Sequence, residues 1–199
     1  MSGDGVAGCG GGGAQAAIRT VAVIGAGRVG RSFALACAAA GYDVVLEDVM
    51  PANLRRAQEE YADVAAQNTG ARGRLAVAAT IEDAVREADL AVDFVPDELE
   101  SKLEIFCMVD RMAPPRTILL TPSEAQSITD LASCTYREER CFAVRGGFGS
   151  MESRVVRLLH PAGAGQAELR AAGDFLRELG YEVRVEVDTD APMLVKNRG

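Results

Sequence analysis

Val21-Ala22-Val23-Ile24-Gly25-Ala26-Gly27-Arg28-Val29-Gly30 decides the fold. An unbroken apolar run enters G-x-G-x-x-G, and a helical pattern begins at once. Each glycine answers a steric demand. Gly25 permits the tight turn out of a strand. Gly27 lacks the Cβ that would hold a pyrophosphate away from the backbone. Gly30 lets the following helix lie close to its strand. The N–H groups and positive dipole end of that helix then face the phosphates. Val29, Phe33, Cys37 and Ala40 are expected on one buried helical face, with Gly41 as the C-cap glycine. A second strand, Val44-Val45-Leu46, runs into Glu47-Asp48. Asp48 lies roughly 20 residues past the glycine turn, where a carboxylate accepts hydrogen bonds from an adenosine ribose. A carboxylate there repels a 2′-phosphate, so NAD is expected over NADP, and Arg55 and Arg56 lie too far along the next helix to reverse this. The alternative is a glycine turn that merely packs.

The surrounding chain is compatible with this reading. With 199 residues it is long enough for one sizeable core. A net charge of −8 argues against a nucleic-acid partner. No apolar stretch approaches the roughly 20 residues that span a bilayer, so no membrane partner is expected. Residues 1–17 read as a disordered, glycine-rich leader rather than a signal peptide, and 18–199 as a single nucleotide-binding domain. Five widely spaced cysteines without C-x-x-C fit reduced thiols in a cytoplasm. His160 is the only histidine, so no metal centre is expected.

Further along, the pattern predicts helices over 52–67, 80–87, 99–112, 128–132 and 166–179. It predicts strands over 75–77, 90–95, 117–120, 141–144, 155–159 and 183–187, the last alternating like an edge strand. Leu54, Ala57, Tyr61 and Ala65 are expected to face inward. Strands alternating with helices, the early ones continuously apolar, give an α/β class: a doubly wound, mainly parallel, Rossmann-like sheet. Ligands of such sheets sit beyond the carboxyl ends of the strands. That gathers 25–30, Asp48, 94–97, 121–124 and 145–149 around one crevice.

Several segments together resemble the NAD-binding domain of the 3-hydroxyacyl-CoA dehydrogenases. They are 21–30, Gly41-Tyr42-Asp43-Val44-Val45-Leu46-Glu47-Asp48 with Pro51, and Ala88-Asp89-Leu90 continuing to Val95-Pro96-Asp97-Glu98-Leu99-Glu100-Ser101-Lys102. The last is Asp190-Ala191-Pro192-Met193-Leu194-Val195-Lys196-Asn197-Arg198, similar to the family's D-T-P-G-F-x-x-N-R. The resemblance implies NAD as cofactor and a small hydroxy- or oxo-acyl substrate, with a thioester as one form. It implies a cofactor set of Gly25, Ala26, Gly27, Arg28, Val29, Gly30 and Asp48, with Val95, Pro96, Asp97, Lys102 and Ser123 toward the nicotinamide. Asp97 and Lys102 alternatively form an ordinary surface ion pair.

The departures concern chemistry. The family places a substrate-binding serine after its fifth strand, and Glu124 falls at that place. Its catalytic histidine sits where this chain reads Arg145-Gly146-Gly147-Phe148-Gly149-Ser150, and Arg157 replaces the glutamate that orients the histidine. Alcohol oxidation needs a base for the hydroxyl proton. Glu124 and Asn197 are therefore the catalytic candidates, against a solvated loop carboxylate and a fraying terminus. His160, a strand-end histidine, is a weaker candidate, and Arg145 is either a substrate-anion partner or a surface charge. The family's helical C-terminal domain is expected to be missing, with self-association or a partner subunit supplying the lid. Two rival readings remain: a non-catalytic NAD(H)-binding module, and a lyase or cyclase using Glu124.

Overall fold

A computed structural model describes residues 17–67, 73–148 and 154–189. In chain order the elements are β1 (Thr20–Ile24), α1 (Arg28–Ala40), β2 (Asp43–Glu47), α2 (Pro51–Gln67), β3 (Leu75–Ala78), α3 (Ile81–Val85) and β4 (Leu90–Asp93). There follow α4 (Leu99–Met112), β5 (Ile118–Pro122), α5 (Ile128–Ser133), β6 (Cys141–Arg145), β7 (Val155–His160), α6 (Gln166–Glu178) and β8 (Glu182–Val187). The strands form one eight-stranded sheet in the order β3-β2-β1-β4-β5-β6-β7-β8. The order reverses between β1 and β4, which is where a doubly wound sheet opens its ligand crevice.

Alternation along the central strands feeds two cores. Val21 and Val23 of β1 face α1, α2 and α6, packing with Phe33, Cys37, Leu54 and Phe175. Ala22 and Ile24 face α3, α4 and α5, packing with Val85, Phe106, Val109 and Leu131. All four residues of β4 are buried. Strands covered on both faces read as continuous apolar runs, and these do.

The expected class is found, with one refinement. The strands β1 to β6 pair in parallel, but β7 runs antiparallel to β6, and β8 is parallel to β7. A parallel crossover needs about a dozen residues or more. Residues 146–154 are too few, so the chain reverses. Two inward assignments are corrected. Ala40 and Ala65 are exposed: α1 buries Gly30, Phe33, Ala34, Cys37 and Ala38 and then ends on Gly41, at φ 106°, and α2 buries Leu54 and Ala57 near its start. The helix opened by Thr80, whose hydroxyl accepts from Asp83 N at 3.2 Å, stops at Val85 rather than 87.

Candidate functional site

The crevice begins where β1 leaves the sheet. Gly25 turns there at φ 97° and donates its N–H to Glu47 O at 2.8 Å. A Cβ at Gly30 would stand 2.0 Å from Gly25 O, so only glycine allows helix and turn to meet. Among the described residues a Cβ at Gly27 would meet nothing within 4 Å, which leaves open space against that backbone. Gly27 is also the N-cap of α1, with no side-chain cap and no acid in the first turn. The first amides of a helix have no intrahelical acceptor. Open space in front of uncapped amides fits a diphosphate. Arg31 braces the turn from behind: Nη1 donates to Ala26 O at 3.3 Å and Nε pairs with Glu60 at 2.8 Å.

Asp48 lies at the exit of β2. Its Oδ2 accepts from Ala26 N at 2.6 Å and from Asn53 Nδ2 at 3.2 Å, and its Oδ1 accepts from Met50 N at 2.7 Å. The carboxylate thus ties the glycine turn to the start of α2 and keeps acceptor capacity on Oδ1. Its neighbour Glu47 is 5% exposed; burial, then the charge of Asp48, pushes the Glu47 carboxyl up.

Across the switch point a cavity of about 320 Å³ is lined by Val29, Phe94, Val95, Asp97, Pro122, Ser123, Glu124, Gly146 and Phe148, among others. Asp97 accepts from Ser123 Oγ at 2.6 Å, Glu124 N at 2.8 Å and Ala125 N at 3.2 Å. Partial burial pushes its carboxyl up, but those three donors and the charge of Lys102 outweigh it and hold the carboxyl below the usual range. Ser123 also accepts from Gln126 N at 2.9 Å. Glu124 is exposed, and its Oε1 accepts from Gly146 N at 2.5 Å, so it fastens the loop after β6. A second cavity of about 330 Å³ adjoins through Val29, Gly147 and Phe148 and carries Arg28, Ser32, Arg154 and Tyr181.

Of the expected site residues, the structure gathers Gly25, Ala26, Gly27, Gly30 and Asp48 at the turn, and Val29, Val95, Asp97, Ser123 and Glu124 at the cavity. Arg28 lines the second cavity, and Pro96 is exposed beside Val95 on the β4–α4 loop. Lys102 is not at the surface of the crevice. It is 1% exposed, its Nζ lying 2.7 Å from Asp93 Oδ1 and 2.9 Å from Pro122 O. The surface ion pair between Asp97 and Lys102 is therefore corrected: the lysine is the buried partner of Asp93, under the crevice floor. Burial pushes the Asp93 carboxyl up, and the ammonium draws it back. Asn197 lies outside the described residues. His160 is buried at the end of β7, its Nδ1 2.8 Å from Pro161 O, and lines neither cavity. Arg157 is half exposed beside Glu186, and Arg145 donates to Gln126 O at 3.0 Å.

Sequence reasoning missed Asn53 and Arg31. Both follow a site residue by about one helical turn, and that spacing is the signal that finds them. It also passed over the aromatic wall, in which the rings of Phe33, Phe94 and Phe148 lie 5.1–5.9 Å apart. Among the described residues no cluster suits a metal ion, and no helix is long and apolar enough to cross a membrane.

Residues 20–145 match the family model described as 3-hydroxyacyl-CoA dehydrogenase, NAD binding domain. The chain belongs to this family. NAD is the cofactor of the domain. The chain is 29% identical over 194 residues to a 3-hydroxybutyryl-CoA dehydrogenase of Bradyrhizobium diazoefficiens, covering 92% of this chain and 65% of that one. It is 30% identical over 199 residues to the mitochondrial hydroxyacyl-coenzyme A dehydrogenase of Sus scrofa, covering 91% and 62%. The fold is shared with (S)-3-hydroxybutyryl-CoA dehydrogenase from Ralstonia eutropha, with a TM-score of 0.76, 21% identity, and 87% and 65% coverage. This family member spans less than two thirds of the length of those dehydrogenases. The part it spans is the part that holds the nucleotide.

Proposed function

We propose that this chain binds NAD(H) across the β1–β4 switch point and serves an oxidoreductase acting on a hydroxy- or oxo-acyl group, a thioester included. The observation that carries the reading is the open, uncapped start of α1 at Gly27 beside a carboxylate, Asp48, bonded into the same turn. When bound, the nicotinamide accepts or delivers the hydride. The chain's own groups do the rest. Amides from Gly27 through Gly30 meet the diphosphate, with the guanidinium of Arg28 nearby. Asp48 Oδ1 meets the adenosine ribose. Val29, Val95 and Phe94 form apolar walls. Pro96 sets the direction of the loop that carries Asp97, and Asp97 fixes Ser123 at the cavity by accepting a hydrogen bond from its hydroxyl. Lys102 supports the crevice floor from below through Pro122 O. Glu124 lines the same cavity, as proton acceptor or loop tether, and Asn197 stays a candidate by resemblance alone. Among the described residues the four cysteines are unbridged, two of them buried, which supports a cytoplasmic setting, and the relatives' names support fatty-acyl metabolism.

A second reading has its own support. The only histidine lines neither cavity, and Glu124 is engaged with Gly146 N. A chain without an acid–base relay would hold NAD(H) for a partner subunit and turn nothing over. Calorimetric titration with NADH and NADPH on the wild type and Asp48→Ala tests the cofactor site. NADH is expected to be preferred, and the substitution to weaken it by about 1–3 kcal/mol, the cost of an unmade polar contact. Equal affinity for both cofactors defeats the assignment. Oxidation of 3-hydroxyacyl thioesters, followed by the absorbance of reduced nicotinamide, separates the two readings.

A further inference from the structure

The last strand, β8, stands at one end of the sheet. Among the described residues nothing pairs with the outer side of β8. Glu182 N donates inward to Arg154 O, and Asp188 N donates inward to His160 O, so the even-numbered residues spend their backbone groups on β7. Backbone groups alternate along a strand. Val183, Val185 and Val187 therefore direct their N–H and C=O groups outward. A free edge is a template for another strand, and proteins that stay monomeric usually blunt it with a proline, a bulge or a like-charged row. β8 carries none of these.

What it carries is a palindrome. Val183-Arg184-Val185-Glu186-Val187 reads with its charges exchanged when reversed about Val185. The geometry points to a second copy of this chain as the partner of that edge, paired antiparallel with the two-fold axis through Val185. In that register Val185 opposes Val185 of the second copy, and Val183 opposes Val187. These are the residues whose backbone groups point outward, so each pair exchanges both hydrogen bonds. Arg184 then faces Glu186 of the second copy across the non-hydrogen-bonded sites, where side chains approach most closely. An axis through Arg184 or Glu186 would set like charges against each other, and one through Val183 would leave Glu186 and Val187 unpaired. On the other face Val185 and Val187, now 46% and 50% exposed, would cover their counterparts. Among the described residues of one copy, Arg184 pairs with the exposed Glu182 at 3.3 Å and Glu186 with the half-exposed Arg157 at 3.5 Å, long surface contacts that leave both side chains able to turn outward. A closed, isologous pair of this kind is the commonest form of oligomer. It stands independently of the cofactor reading.

The test is sedimentation of the full chain over a concentration series, with circular-dichroism melts to verify folding of each variant. Wild type is expected to pass from monomer to dimer. Arg184→Glu and Glu186→Arg each put like charges opposite one another and weaken the dimer roughly tenfold or more, since cross-strand pairs respond to charge sign. The double variant Arg184→Glu/Glu186→Arg restores complementarity and the dimer with it. A mixture of the two single variants dimerises more tightly than either does alone. A wild type monomeric throughout overturns the proposal, and so does a dimer indifferent to either reversal or a mixture that stays monomeric.

Discussion

Replacing Lys102 by Met keeps the length and apolar character of the side chain and deletes one buried charge. The ammonium is 1% exposed, lies 2.7 Å from an Asp93 carboxylate that is 3% exposed, and also holds Pro122 O. Breaking a buried pair by removing one partner costs about 3–5 kcal/mol, because the remaining charge is uncompensated. In a domain of this size each kcal/mol moves Tm by about 2–4 °C, so a fall of roughly 6–20 °C is expected. Removing both partners, as in Asp93→Leu/Lys102→Met, should recover most of the loss, since an apolar pair of similar volume does not carry the desolvation cost. The pH dependence has a definite sign. Without the ammonium, the buried Asp93 carboxyl titrates above its unfolded value of about 4. Its penalty is therefore absent below that value and grows as pH rises through the raised folded one. Urea unfolding followed by circular dichroism, at acidic and neutral pH, measures this. A loss under about 1 kcal/mol, or one identical at both pH values, refutes the view of Lys102 as a charge committed under the crevice floor.

Gly30→Ala puts a methyl 2.0 Å from Gly25 O, so the turn must open; NADH affinity measured by fluorescence should fall with little change at the far end of the sheet. Glu47→Gln should stabilise the fold at neutral pH, because burial and the charge of Asp48 raise the native carboxyl, and the gain should vanish in acid; thermal melts across pH follow it. The thiol of Cys141 is pushed up to about 12 and that of Cys37 further still, both chiefly by burial. A maleimide should therefore label the half-exposed Cys107 and Cys134 in the native protein before these two.

The sequence by itself determined what depends on neighbours along the chain. The glycine turn, the αL cap at Gly41, the N-cap at Thr80 and the apolar runs of β1 and β4 are local, and period and turn chemistry make them legible. Asp48 was legible too, because a strand of known length after a helix of known length fixes where its end must lie. Only the tertiary structure decided where long side chains go. Lys102 and Asp97 stand on the same short segment, yet one turns in to Asp93 and the other binds the loop amides of Glu124 and Ala125. That choice depends on a strand and a loop distant in sequence. The reversal of β7 was within reach of the sequence but passed over, since residues 146–154 are too few for a parallel crossover. The pairing proposed at β8 needs both: the sequence holds the palindrome, and among the described residues the fold leaves that edge without a partner strand, with the backbone groups of its valines directed outward.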